Sequence, residues 1–142
     1  MIKNLKVNSE HEMERQGANL AKCLGSSTQI ILLSGELGAG KTTFVRGFLR
    51  ELGHMGNVTS PTYTFIEPYQ LKNRDIFHVD LYRLDDSSEL EYLGLFDELA
   101  EGAIYLIEWP EKAKGRLPEA SIYCTINILE GENAREITLE QG

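Results

Sequence analysis

Two periods run through the pattern of hydrophobic and polar positions, and they change over at turn-forming residues. Ile2 to Val7 suits a short first strand. Ser9 and Glu12 then stand at capping-box spacing. Met13, Gly17, Leu20, Ala21 and Leu24 follow at the three- and four-residue steps of a helix that ends at Gly25. Gln29-Ile30-Ile31-Leu32-Leu33 is a continuous, branched apolar run, the mark of a strand covered on both faces. Lys41 to Leu52 predicts a helix that buries Phe44, Val45, Phe48 and Leu49 and stops before Gly53.

The second half repeats the alternation. Thr64 to Tyr69 reads as a strand, with Pro68 pointing to an edge or a bulge. In Ile76 to Tyr82 successive residues switch faces: Phe77, Val79 and Leu81 share one, and Ile76, His78, Asp80 and Tyr82 the other. Ser88-Glu89-Leu90-Glu91 opens a helical stretch, interrupted at Gly94 and closed by Gly102. Ala103 to Ile107 is a second buried-type strand and ends on Glu108. Ile122, Cys124, Ile126 and Ile128 alternate, and Gly131 turns the chain back towards Ile137 and Leu139 as a hairpin.

Strands alternating with helices predict an α/β three-layer fold with a mixed, mainly parallel central sheet and a C-terminal β-hairpin. No repeat, low-complexity tract or linker divides residues 1–142, so a single domain is expected.

One segment brings chemistry to this frame. Gly35-Glu36-Leu37-Gly38-Ala39-Gly40-Lys41-Thr42 satisfies G-x-x-x-x-G-K-[ST] at every specified position, between a buried strand and an amphipathic helix. Glycines let bare backbone N–H groups approach phosphate oxygens, and the helix N-terminus adds unpaired donors and a positive dipole end. Lys41 is expected at the β- and γ-phosphates and the Thr42 hydroxyl on Mg²⁺, with ATP the expected ligand. The frame is therefore that of a P-loop NTPase.

Phosphate chemistry with Mg²⁺ also calls for a carboxylate, and ligands of open α/β sheets sit at the carboxyl ends of strands. Two acids end hydrophobic strands here. Glu108 follows Ile104-Tyr105-Leu106-Ile107, and Asp80 follows Phe77-His78-Val79. Either can hold the metal or position the attacking water. Thr59-Ser60-Pro61-Thr62-Tyr63-Thr64 is dense in hydroxyls and falls where a switch segment would meet the γ-phosphate. Trp109 is placed either to stack on a purine or to pack in the core. His78 is read as a packed or surface histidine, without a catalytic role.

Composition narrows the setting. Net charge is −8, from 14 Lys and Arg against 22 Asp and Glu, and Asp85 to Glu111 holds nine acids with no Lys or Arg. Such a stretch repels a phosphate backbone, so a role near nucleic acid is expected to run through a protein partner. Cys23 and Cys124 stand far apart outside any ligand pattern, which fits a reducing compartment. No secretory h-region follows Met1, and no apolar run approaches the ~20 residues of a membrane span. A soluble cytoplasmic protein is expected.

Three functions compete on these residues. A small-molecule kinase would bring an arginine-bearing lid, whereas Arg46 and Arg50 lie on the loop's helix and Arg74 and Arg83 flank the Asp80 strand. A GTPase would carry N-K-x-D, an order that Lys72-Asn73-Arg74-Asp75 lacks. The third is a nucleotide sensor that binds ATP and docks a partner without turnover, against which Glu108 with Asp80 argues mildly.

Four blocks in this order resemble one family, the bacterial TsaE (YjeE) proteins of tRNA threonylcarbamoyladenosine synthesis. They are Gly35 to Thr43, Thr59 to Thr64, His78-Val79-Asp80-Leu81-Tyr82-Arg83-Leu84, and Ile107-Glu108-Trp109-Pro110-Glu111. The resemblance implies a cytoplasmic Mg²⁺-dependent ATPase of low intrinsic activity. It implies work alongside the TsaB–TsaD pair, which threonylcarbamoylates adenosine 37, with tRNA met only through those partners. By motif match, Leu37, Gly38, Ala39, Gly40, Lys41, Thr42 and Thr43 hold the phosphates. Thr42 and Glu108 take the metal, Asp80 a hydrolytic role, and Trp109 a place near the base.

Overall fold

The computed structural model describes residues 2–61, 65–94, 96–131 and 133–142. Its strands are β1 (Ile2–Val7), β2 (Gln29–Ser34), β3 (Ile66–Leu71), β4 (Arg74–Asp80), β5 (Ile104–Glu108), β6 (Ile122–Leu129) and β7 (Ala134–Gln141). The helices are α1 (Glu10–Cys23), α2 (Lys41–Glu51) and α3 (Glu89–Leu93), with a 3₁₀ turn at Pro110–Ala113. All strands join one sheet in the order β1-β7-β6-β2-β5-β4-β3.

The sheet is mixed in a regular way. Its four central strands, β6, β2, β5 and β4, run parallel, while β3 on one side and β7 with β1 on the other pair antiparallel. The predicted C-terminal hairpin is β6–β7. Pro68 sits on the edge strand β3, where its missing N–H leaves no central ladder bond unmade. Lys72 and Asn73, both at positive φ (51° and 61°), join β3 to β4 in a two-residue turn that sequence reading missed.

Alternation along the strands divides the core in two. Ile31, Leu33, Ile76, Ile104, Leu106, Cys124 and Ile126 meet α1 and α2 on one face. Ile30, Leu32, Val79, Tyr105 and Ile107 face the other way, covered by α3, the 3₁₀ turn and connecting loops. The third layer is thus much thinner than the first. The helical stretch predicted after Ser88 shrinks to α3, because Gly94 takes a left-handed φ of 62° and its N–H closes on the Leu90 carbonyl. Ser88 does not cap α3; the Asp86 carboxylate instead accepts the Ser88 N–H at 2.9 Å.

The thick layer is built on close contact between α1 and α2. Ser9 caps α1, accepting the Glu12 N–H at 3.1 Å, and the Glu12 carboxylate returns to the Asn8 N–H. Gly17 faces the Phe44 carbonyl and Gly47 faces the Glu14 carbonyl, so that a Cβ on either glycine would lie 2.0 Å from backbone oxygen. Glu14 also binds Arg46 (2.8 Å) and Arg50 (3.2 Å) of α2. Helix α1 therefore clamps the helix that follows the glycine-rich loop.

Candidate nucleotide site

The glycine-rich loop connects the carboxyl end of β2 to the first turn of α2. Gly38 (φ 82°) and Gly40 (φ 114°) hold angles that a side chain resists, and Gly40 is the N-cap of α2. The Ala39 N–H closes on the Glu36 carbonyl at 3.0 Å and the Phe44 N–H on Gly40 at 2.9 Å. The amides of the first helical turn lack intrahelical acceptors and stand at the positive end of the dipole.

Strand register delivers the carboxylates. Glu108 lies opposite Leu33 on β2 and opposite Asp80 on β4, so both acids reach the level where the loop begins. Glu108 is 2% exposed and Asp80 8%. The Thr42 hydroxyl lies 3.1 and 3.2 Å from the two Glu108 carboxylate oxygens and donates to them, with Ser60 Oγ 2.7 Å from Thr42 Oγ1. Behind Glu108, fully buried His78 donates from Nε2 to Oε2 at 2.5 Å. Its Nδ1 is buried with no hydrogen-bond partner among the described residues.

His78 is thus the site residue that sequence reading assigned to packing. The signal was present: period-two alternation had already put it on the Asp80 face of β4. What alternation could not show is that β5 supplies a carboxylate to that face.

Burial sets the electrostatics. Desolvation raises the Asp80 carboxyl above the ordinary carboxylate range, and nearby Glu108 adds to the rise. The Tyr82 N–H, at 2.9 Å, opposes it, as do His78 and Ser60. Burial also lowers the Lys41 ammonium, against the pull of Glu108, Glu111 and Asp80. Lys41 donates to the carbonyls of Gly35 and Glu36, and its Nζ lies 3.7 Å from the Trp109 ring centroid. Trp109, at φ 58°, starts the 3₁₀ turn, and its ring packs against Tyr82 at 4.9 Å. On the β5 side of the loop, then, the indole meets a cation and a tyrosine.

Lys41, Thr42, Asp80, Glu108 and Trp109 line a cleft of about 480 Å³ that also takes in the loop from Leu37 to Gly40, Thr43, Ser60, Pro61, Tyr82 and Arg83; His78 lies behind Glu108, outside it. Of the hydroxyl-rich segment, Ser60 and Pro61 reach the cleft; Thr62, Tyr63 and Thr64 lie outside the described residues. A second cleft of about 310 Å³ continues past Gly38, Ala39 and Gly40 to Asn8, Met13 and Arg135. Arg135 donates to the Ala39 carbonyl at 3.2 Å and to Gly38 at 3.4 Å, bracing the loop from the β7 side.

Among the described residues no group of three or more His, Cys, Asp or Glu is arranged to hold a metal ion. A hard divalent cation of the Mg²⁺ type needs fewer protein ligands, since it keeps several waters and takes substrate phosphate oxygens. Thr42 and Glu108, in contact with each other beside the loop, fit that requirement. Cys23 and Cys124 are free thiols, the second buried, with burial pushing it up to about 12. No described helix is long and apolar enough to cross a membrane.

Known proteins resemble this chain in sequence and in fold. The family described as Threonylcarbamoyl adenosine biosynthesis protein TsaE matches residues 7–137. The tRNA threonylcarbamoyladenosine biosynthesis protein TsaE of Haemophilus influenzae is 45% identical, over 94% of this chain and 85% of that one. Its namesake in Bacillus subtilis is 35% identical, over 96% and 85%. The crystal structure of Bacillus subtilis YdiB superposes with a TM-score of 0.74 at 29% identity, covering 99% of this chain and 87% of that one. With a family match from residue 7 to residue 137, the glycine-rich loop included, the chain belongs to the TsaE family.

Proposed function

We propose that this protein is a Mg²⁺-dependent P-loop ATPase of low intrinsic activity that supports threonylcarbamoylation of adenosine 37 in tRNA. One observation carries the ATPase reading: the hydroxyl of Thr42, next to Lys41, touches the buried carboxylate of Glu108 at the mouth of the loop. That is the donor set for a metal–triphosphate complex. Thr42 and Glu108 would hold Mg²⁺, which when bound neutralises phosphate charge and orients the β- and γ-oxygens. Lys41 leaves the Gly35 and Glu36 carbonyls for the phosphates, and His78 holds the Glu108 carboxylate in orientation. Asp80, across the ladder from Glu108, is placed to position the attacking water.

The phosphates occupy the first cleft and the nucleoside the second, on the β7 side of the loop. This reading puts Trp109 on the γ-phosphate side, under Lys41, where the sequence left it open between a purine contact and the core. The acidic stretch from Asp85 to Glu111 favours a protein partner over direct contact with RNA, and the TsaB–TsaD pair is the proposed one. Titration calorimetry with ATP and Mg²⁺ tests the site. Lys41→Ala should abolish binding, and unchanged binding would sink the assignment. In cells, deletion should remove the adenosine-37 modification from tRNA by mass analysis, with wild type but not Lys41→Ala restoring it.

A further inference from the structure

We propose that Arg83 is the cation that stabilises the transition state of γ-phosphoryl transfer in this cleft. The inference rests on the ATPase reading above and adds to it a residue with a distinct chemical task.

The first cleft carries three acids, Glu10, Asp80 and Glu108, and two cations, Lys41 and Arg83. Lys41 is committed to the β- and γ-phosphates of the ground state. As transfer proceeds, charge spreads over the equatorial phosphoryl oxygens and the leaving oxygen, between carboxylates that would repel it. Arg83 is the second positive side chain in reach, and a guanidinium presents its donors as a planar fork suited to phosphate.

Five of the seven arginines are engaged: Arg46 and Arg50 by Glu14, Arg74 by the carbonyls of Gly102 and Ser27, Arg116 by Glu91, and Arg135 by the loop itself. Arg15 and Arg83 have no hydrogen bond or ion pair among the described residues. Arg15 is exposed on α1, and Arg83 alone of the two lines the cleft.

Leu81 and Leu84 are buried, the Leu84 N–H closes on the Leu81 carbonyl at 3.0 Å, and the Leu81 N–H binds the Glu108 carbonyl at 3.1 Å. The Tyr82 N–H is held by Asp80. Residues 82 and 83 are therefore the exposed corner of a turn fixed at both ends, which anchors the arginine's stem and leaves its head free. A fixed stem beside the acid that positions water is what preorganised charge stabilisation requires.

In the step itself, a water oxygen bonds to the γ-phosphorus as the bond from phosphorus to the β–γ bridging oxygen breaks. The bridging oxygen keeps the electron pair and leaves with ADP. The water proton passes to a phosphate oxygen or to solvent, and Arg83 donates to the oxygens on which charge builds.

The test compares Arg83→Ala, Arg83→Lys and Arg15→Ala in the full chain, reading phosphate release, affinity for a non-hydrolysable ATP analogue, and capture of ADP with aluminium fluoride. Arg83→Ala should lower kcat on the order of 10²-fold or more, with analogue affinity held within about threefold. It should also lose the aluminium fluoride complex that the wild type forms. Arg83→Lys should recover part of kcat, and Arg15→Ala should behave as wild type. Turnover and capture unchanged in Arg83→Ala, beside an active wild type, overturn this inference alone. A wild type that binds no ATP overturns the ATPase reading, and this inference with it.

Discussion

The two flanks of the glycine-rich loop are built from the same sheet and do opposite work. On the β5–β4 flank, Glu108, His78 and Asp80 are all buried and ionisable; Glu108 binds Thr42 and His78, and Asp80 stands opposite Glu108 in the ladder. On the β6–β7 flank, the loop meets Arg135, which binds its carbonyls, and a cleft lined by Asn8, Met13 and Ala134. The first flank accepts desolvation of charge, which costs stability wherever the charges are not fully paired. The second holds backbone in place with exposed or part-buried bonds of modest worth. On the proposed ATPase reading, the difference would separate transfer chemistry from positioning of the nucleotide, and substitutions on each side should fail differently.

The largest expected effect is on the charged flank. Glu108→Gln keeps the side chain's size but removes its charge beside Thr42. Turnover by phosphate release should fall on the order of 10²–10³-fold, while calorimetry still detects ATP, because Lys41 and the loop amides remain. Turnover within a few-fold of wild type would show that the buried carboxylate takes no part in the chemistry, and the contrast between flanks would collapse.

Arg135→Ala probes the opposite flank. It deletes two bonds to loop carbonyls without touching a carboxylate, so the loop should bind nucleotide less readily once formed. A loss of about 1.4 kcal/mol, or tenfold in affinity, is expected, with kcat at saturating ATP unchanged. If kcat fell as far as in Glu108→Gln, Arg135 would belong to the chemistry and the two flanks would not be distinct.

Much of this was legible in the chain. The loop, its strand and its helix announced themselves because phosphate binding requires one glycine-rich spacing, and burial on both faces requires one kind of strand. Asp80 and Glu108 were legible as strand-end acids for the same reason. What stayed hidden depends on which strands are neighbours. No local pattern says that β4 and β5 adjoin, so the His78–Glu108 bond was invisible although His78 had been put on the correct face. Trp109 could be named but not oriented, since its left-handed backbone, set by the turn at Pro110, decides where the indole goes. The stretch after Ser88 misled because acids and leucines at helical spacing looked like a helix. Gly94 ends it after α3, and Phe96 and Ala100 serve the second core from loop conformations.

The smallest effect, on stability, tests whether the charged flank is held against its own preference. Burial and Glu108 raise the Asp80 carboxyl in the folded protein above its unfolded value, about 3.9. The folded state therefore binds this proton more tightly than the unfolded chain. The stability it contributes is complete below the unfolded value and is lost as pH rises through the folded one. Above that range the wild type bears the cost of ionising a largely desolvated Asp80. Asp80→Asn removes that charge and keeps an oxygen to accept the Tyr82 N–H, so its Tm at pH 7 should exceed that of the wild type by a few degrees. The gap should narrow as pH falls towards the unfolded carboxyl value, where Asp80 is protonated in both states. A lower Tm at pH 7 would mean that His78, Ser60 and the Tyr82 amide more than offset the burial of the charge. Asp80 would then be a structural anchor of its turn, and the β5–β4 flank would carry no stored electrostatic cost at that position.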